Sequence, residues 1–460
     1  MLTGGGATES IDPYAGGSPV DQVRHQLVFD GLFEIDDRGV RPALALSAAP
    51  SRDLRSVTIA LRNGVIWHDG TELTPSDVLT ALRYMTAAQR PYPSELAGYF
   101  DFARAAVTGR STLVVPTRRP VGDPALLLAA YPARIVKPAG ATPIGTGPYR
   151  VRAFAAGRET RLERSSTYWG EAGTADEIVL GSLTDPQAKV NAVRAGQYDY
   201  TVDIPFSAAK VGAGGGDLEI RSGGAAGQLG YGFVLNAASG PFRDPRARKA
   251  VRLGIDREAL VAAVLLGYGK PGNDLFGAGA QYHDGVEPLR RDVDEARRLI
   301  RAAGLDGTAV VFRTAEYESG YNASTQLVAE QLKEIGLPVR VDTVGVPEFF
   351  DVKALTRTDA LVFSIGAMSL SIIYTRLAAY PTLGLPDPAL GAAVGTAMAA
   401  TSTSERERQW RTVQQIMTDR GNTVVWGLAD TLALTRRNVA GVQIRNGQPK
   451  YPCLSQAGLA

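Results

Sequence analysis

The stretch VTIALRNGVIWHDGTELTPSDVLTALRYM, residues 57–85, decides how this chain is read. Val57, Ile59 and Leu61 alternate with Thr58, Ala60 and Arg62, the period of a strand with one buried face. Asn63-Gly64 tolerates the positive φ of a tight turn, and Asp69-Gly70 marks a second turn after a short strand. Thr74 stands at an N-cap position, with Pro75 opening the helix and Asp77 placed for a capping box. Val78, Leu82 and Met85 follow at helical spacing, and Leu79 widens the stripe. These residues specify a framework unit and carry no reaction chemistry.

Outside that unit the composition is that of a globular chain. At 460 residues it exceeds what one hydrophobic core serves and predicts two or three lobes. A formal charge of +2 gives no electrostatic case for nucleic acid or a membrane surface. The single cysteine, Cys453, permits neither an intrachain disulfide nor a multi-cysteine metal site, and is expected to be a buried packing residue. His25, His68 and His283 are scattered and no HExxH occurs, so no metal or cofactor is expected. No run approaches the ~20 apolar residues of a membrane span. The opening MLTGGGATES lacks the basic region and apolar core of a secretory signal, and its glycines predict a structureless segment.

Upstream, IDPYAGGSPVDQVRHQ leads into LVFDGLFEID, a strand or a helix end buried through Leu27, Val28, Phe29, Leu32 and Phe33. Downstream, after a helix-rich region near 76–107 and the strand STLVVPT, comes IGTGPYRV at 144–151. Its two glycines and Pro148 predict a turn of unusual dihedrals before a strand. A phosphate cradle is excluded, because the GxGxxG spacing is absent and Pro148 has no N–H. A strand over Ile178–Leu180, a helix from Asp185-Pro186 to Gly196 and a strand into Asp203 follow. Tyr231, Phe233 and Leu235 alternate, and Asp244 caps a helix buried through Ala247, Val251 and Ile255. Helix and strand patterns then alternate, with Gly304 and Gly336 as helix C-caps, to a helix ending near Arg420 and a strand pair in NTVVWGLADTLALTRR.

Three of these runs together carry a resemblance. HDG-x-x-LT-x-x-D-V at 68–78, GTGPY at 145–149 and PF-x-D-x-R-x-R-x-A at 241–250 stand in order along the chain. With Asp12-Pro13, Phe29-Asp30-Gly31-Leu32 and AGQYD at 195–199, the chain resembles the family 5 extracellular solute-binding proteins, the peptide- and nickel-type receptors of bacterial ABC importers. The resemblance implies an α/β, bilobed, periplasmic-binding-protein-like (type II) fold with a hinge between lobes. It places lobe I at 1–42, an extra subdomain of that lobe at 43–174, lobe I again at 175–230, lobe II at 231–426 and a C-terminal return to lobe I at 427–460. It further implies a monomeric extracytoplasmic receptor, without catalysis, that hands a small molecule to a membrane permease after removal of an export signal bearing a lipid-modified Cys.

Peptide-binding members of that family carry an Asp in a W-x-x-D-Y-x-D-P-like stretch that pairs with the peptide ammonium. The equivalent here is Ser364–Ser371, and no acid lies between Asp359 and Asp387. Nickel-chelate members use an Arg, aromatic groups and a His, of which Arg134 alone finds a match. The residues nominated to face a ligand are Tyr14, Ser18, Gln22 and Arg134 from lobe I, Tyr231 and Asn236 near the crossing, and Ser369, Ser371, Tyr374 and Arg376 from lobe II. Hydroxyls, an aromatic face and arginines suit a neutral or anionic polar ligand: a glycoside, an opine-like compound, an acidic metabolite or a chelate. The plain readings are ion pairs for the arginines and turn positions for the serines. A peptide receptor, a sensor or accessory uncoupled from transport, and a serine hydrolase built on Ser207-x-x-Lys210 stay open as alternatives, the last without the partner motifs of its class.

Overall fold

The computed structural model describes residues 1–460 except 37–38, 90–93, 130–132, 141, 213–214, 225–226, 350–357, 380–381 and 445–449. The chain forms two compact units: Met1–Gly227 with Met398–Ser402 and Thr431–Ala460, and Gln228–Ala397 with Thr403–Asp430.

The first unit is built on a seven-stranded sheet. Its order is Leu218–Ser222, Leu432–Arg436, Tyr200–Val202, Leu2–Thr3, Glu177–Ser182, Glu159–Arg164 and Tyr149–Ala155. The opening segment is therefore not structureless. Leu2–Thr3 pairs in parallel with Glu177–Ser182 and with Tyr200–Val202, and both of its residues are buried. Its partners lie some 180 to 200 positions away, which is why a local reading of its glycines misses it.

A four-stranded antiparallel sheet, Ala45–Pro50, Ser56–Leu61, Thr112–Pro116 and Ala106–Gly109, holds the stretch that opened the analysis. Val57, Ile59 and Leu61 are buried and Thr58 is exposed, as the alternation requires. The short strand expected between Asn63-Gly64 and Asp69-Gly70 is a single bridge, Ile66 to Glu72, across a turn closed by Gly70 at φ +84°. The helix runs Pro75–Met85 with the reciprocal Thr74–Asp77 capping box and Val78, Leu79, Leu82 and Met85 buried.

GTGPY differs from expectation in its physics. Neither Gly145 nor Gly147 has a positive φ. A Cβ on either would instead drive into the backbone carbonyls that end the Pro19–Val28 helix, Val28 for Gly145 and Leu27 for Gly147. The turn is tied there by Gly147 N–H donating to Val28 O (3.0 Å). The HDG run locks onto the same turn: His68 N–H donates to Gly145 O (2.9 Å) and His68 Nε2 sits 2.9 Å from Gly147 O.

The second unit has one six-stranded sheet, in the order Gly269–Pro271, Thr423–Asp430, Gln228–Leu235, Ala360–Ile365, Val310–Thr314 and Val339–Thr343. The last three strands are parallel; the helix Val293–Ala302 leads into Val310–Thr314, and Tyr321–Glu334 joins that strand to Val339–Thr343 in α/β alternation. The sequence-predicted terminal strand pair is not a pair: Thr423–Asp430 belongs to this sheet and Leu432–Arg436 to the seven-stranded one. Asp244 caps the Pro245–Gly254 helix as expected. From it, Arg248 and Arg252, both buried, donate to Met417 O, Thr418 O, Asp419 O, Arg420 O and Gly421 O, the open carbonyls that end the Thr403–Arg420 helix. Arg248 of the R-x-R-x-A motif and Arg252, two residues beyond it, thus clamp two helices together, while Arg246 pairs with Asp244 at 2.6 Å. Gly304 and Gly336 end their helices as expected, one residue past the C-caps Ala303 and Ile335, at φ +71° and +86°.

Candidate functional site

In the first unit the nominated residues cluster on and around the Pro19–Val28 helix. Ser18 is its N-cap: Asp21 N–H reaches Ser18 Oγ and Ser18 N–H donates to Asp21 Oδ2 (3.0 Å). Every residue from Val20 to Val28 is buried, polar ones included. Arg24 makes that possible. Its guanidinium meets Asp21 at 2.6 Å and Glu9 at 3.2 Å, donates to Thr160 Oγ1 and Ser10 O, and lies over the Phe154 ring. Burial first, then the Arg24 charge, pushes His25 down to about 3, so its imidazole is neutral and rests 3.1 Å from Ser10 O. Gln22 and Gln26, one turn apart, each bury a side-chain Oε1 with no hydrogen-bond partner among the described residues.

Tyr14 and Arg134 are brought together. Tyr14 is fully buried and its hydroxyl donates to the Arg134 carbonyl at 2.6 Å, while burial raises its pKa. The Arg134 guanidinium donates to Phe29 O at 3.4 Å and lies 3.7 Å from Glu34.

In the second unit Tyr231 sits in the Gln228–Leu235 strand, its ring 4.9 Å from Tyr321 and 5.9 Å from Trp426 between centroids. Asn236 follows that strand and shapes its exit: its side chain donates to Ser239 Oγ and Thr358 O and accepts from Ala238 N–H. Ser369 and Ser371 are buried with their hydroxyl oxygens 2.6 Å apart, at the start of the Leu370–Ala379 helix. Tyr374, on that helix, stacks on Trp410 at 6.1 Å with rings 15° from parallel. Arg376 extends its guanidinium to Met368 Sδ at 3.3 Å, which places it against the Ser364–Ser371 stretch.

Two buried acids escape the sequence reading. Asp30 is 3% exposed and accepts from Trp169 Nε1 (2.8 Å), Thr146 Oγ1 (2.8 Å) and Tyr168 OH (3.2 Å). Burial, reinforced by Glu34, pushes it up to about 6 against those donors. It lines a cavity of about 530 Å³ with Trp169, Arg41, Arg62 and Gln456. The other is Glu318, 7% exposed, whose Oε1 accepts from Ser364 Oγ at 3.0 Å. Asp30 stood in a quoted motif, but its donors come from over 100 residues away; Glu318 stood in no motif. Cys453 is buried, as expected of a packing residue. Among the described residues no group of three or more His, Cys, Asp or Glu is placed to hold a metal ion, and no helix is long and apolar enough to cross a membrane.

Residues 39–378 match the bacterial extracellular solute-binding proteins, family 5 (middle). The chain belongs to this family. A curated member, the glutathione-binding protein GsiB of Salmonella choleraesuis (strain SC-B67), is 25% identical over 346 residues, 72% of this chain and 67% of that protein. Among solved structures, the ABC transporter-associated periplasmic binding protein DppA from Helicobacter pylori, in complex with peptide STSA, superposes with a TM-score of 0.83 at 16% identity, covering 100% of this chain and 97% of the other. The PBP AgaA from A. tumefacien R10, in complex with agropinic acid, gives 0.84 at 18% identity, covering 100% and 98%. At these identities the structural likeness speaks to the fold alone, that of the type II periplasmic binding proteins. Family 5 proteins are solute-binding receptors of ABC importers and not enzymes. Ser207 and Lys210 lie in the five-residue helix Phe206–Lys210.

Proposed function

We propose that this family 5 receptor captures a small, polar, carboxylate-bearing solute other than an ordinary peptide, and closes on it by a hinge movement between its lobes. The receptor acts as a monomer outside the cytoplasmic membrane and passes the solute to an ABC importer permease. One observation carries the ligand class: the stretch from Ser364 to Ser371 holds no carboxylate, and the Arg376 guanidinium lies 3.3 Å from Met368 within it. A cation at that wall suits a carboxylate, with which Arg forms charge-assisted bonds. The buried Ser369–Ser371 hydroxyl pair adds polar donors beside it. Ligands printed for the relatives include glutathione and agropinic acid, and also the peptide STSA, which this reading sets aside for the present chain.

The test is native mass spectrometry of protein purified without denaturation, set against its denatured mass. The expected result is a mass excess lost on unfolding, carried by an acidic small molecule. Arg376→Ala is expected to weaken binding of that molecule at least tenfold in calorimetry while leaving the far-UV circular dichroism unchanged. An unchanged affinity removes Arg376 from the site, and a neutral peptide as the retained molecule refutes the ligand class.

A further inference from the structure

Asp30 belongs to a cavity of about 530 Å³ whose lining residues all come from the first unit. Small-molecule sites span ~300–1,000 Å³, so the volume suits a ligand of that kind. Three of the roughly four lone-pair sites of the Asp30 carboxylate are taken, all by neutral donors: Tyr168 OH, Trp169 Nε1 and Thr146 Oγ1. None of them cancels its charge. Burial and Glu34 leave that carboxyl at about 6, as in a buried acid with too little positive charge beside it. Gln26 lines the same cavity and is 5% exposed. Its Nε2 donates to Tyr451 O at 2.8 Å, which fixes the amide and makes the acceptor Oε1 the atom without a partner among the described residues. Buried acceptors rarely lack a donor, and a bound donor group would supply one.

The charges and rings of the walls point the same way. The Trp169 ring already carries the Arg62 guanidinium 4.5 Å from its centroid, so this wall accepts a cation on a π face. Four lining carboxyls, Asp30, Glu34, Asp36 and Glu171, stand against two lining guanidinia, Arg41 and Arg62. Arg41 pairs with Glu34 at 2.6 Å and Asp36 at 3.5 Å, and Arg134, outside the lining, lies 3.7 Å from Glu34. The balance stays negative with Arg134 included. We infer that this cavity is a second binding site, which takes a small aliphatic amine as its ammonium cation, with N–H donors on Gln26 Oε1 and Asp30. An ammonium supplies both things these walls lack, a positive charge and hydrogen-bond donors. A quaternary cation supplies only the first, and an alcohol only the second. The carboxylate-binding wall at Ser364–Ser371 belongs to the other unit, so either reading can fail alone.

The test is calorimetry on the whole protein at low salt with three probes: 1,4-diaminobutane, 1,4-butanediol and the fully N-methylated, doubly quaternary form of the diamine. Wild type is expected to bind the diamine about tenfold more tightly than either of the others, the scale of a hydrogen bond to a charged group. Gln26→Met and Asp30→Asn are each expected to weaken diamine binding about tenfold, with far-UV circular dichroism unchanged. The diol or the quaternary dication bound as tightly as the diamine overturns the inference. So does a diamine that does not bind; these arms use wild type and need no variant to fold. A diamine affinity that survives either substitution also overturns it and places the amine elsewhere on the receptor.

Discussion

Asp30 shows how one side chain sets a pH response. Its carboxyl is pushed up to about 6 by burial, whereas in the unfolded chain it titrates near 3.8. Between those values the folded state holds a proton that the unfolded state has released, so stability falls as pH rises through that window and the full cost is present above about 6. Asp30→Asn removes the titration. Wild type is therefore expected to gain on the variant by at most ~3 kcal/mol as pH drops from about 6 to about 4, read from urea midpoints. A gap that stays constant over that range assigns the raised value elsewhere. Sequence alone could place Asp30 in a motif but not bury it, because Thr146, Tyr168 and Trp169 reach it only through the fold.

At the scale of elements, the family's sequence signatures prove to be joints. GTGPY, HDG and the end of the Pro19–Val28 helix form one backbone-to-backbone contact, with no room for a side chain at Gly145. Gly145→Ala is expected to cost about 3 kcal/mol, the upper end for overpacking, because the obstacle is the Val28 carbonyl and not a side chain that can turn away. Guanidinium denaturation measures it, and a loss below about 1 kcal/mol would show that the helix end can yield. Arg248 tests the second joint. Its guanidinium donates to four carbonyls, of Phe242, Arg243, Arg420 and Gly421. Lysine keeps the charge but lacks the planar fork, so Arg248→Lys is expected to lose about 2 kcal/mol in the same assay. Full stability in the lysine variant would mean that charge alone holds the helix end.

For the whole molecule, the decisive fact is that each unit is assembled from separated segments. Leu432–Arg436 lies between Leu218–Ser222 and Tyr200–Val202 and hydrogen-bonds to both. Ending the chain at Asp430 leaves those two strands without the one that joins them, while all six strands of the other sheet are retained. The truncated protein is expected to lose protection from amide hydrogen exchange across 200–222 and to keep it across 228–235 and 423–430. Equal protection in both regions would show that the seven-stranded sheet closes without its penultimate strand.

The sequence by itself determined what short-range physics controls. The alternation at 57–61, the Thr74–Asp77 box, the Asp244 cap and the helix-ending glycines at 304 and 336 each depend on residues within a few positions, and the family followed from motifs whose order the chain displays. Tyr231, Ser369, Ser371 and Arg376, proposed to face the ligand, could be nominated from the sequence, yet their neighbours could not. Only the tertiary structure set Leu2–Thr3 in the middle of a sheet, split the last two strands between units, and turned GTGPY from a dihedral requirement into a close approach. It alone brought Glu318 to Ser364 and three donors to Asp30. Those outcomes depend on pairings that span tens to hundreds of residues, where burial and complementary hydrogen bonding decide and local propensity is silent.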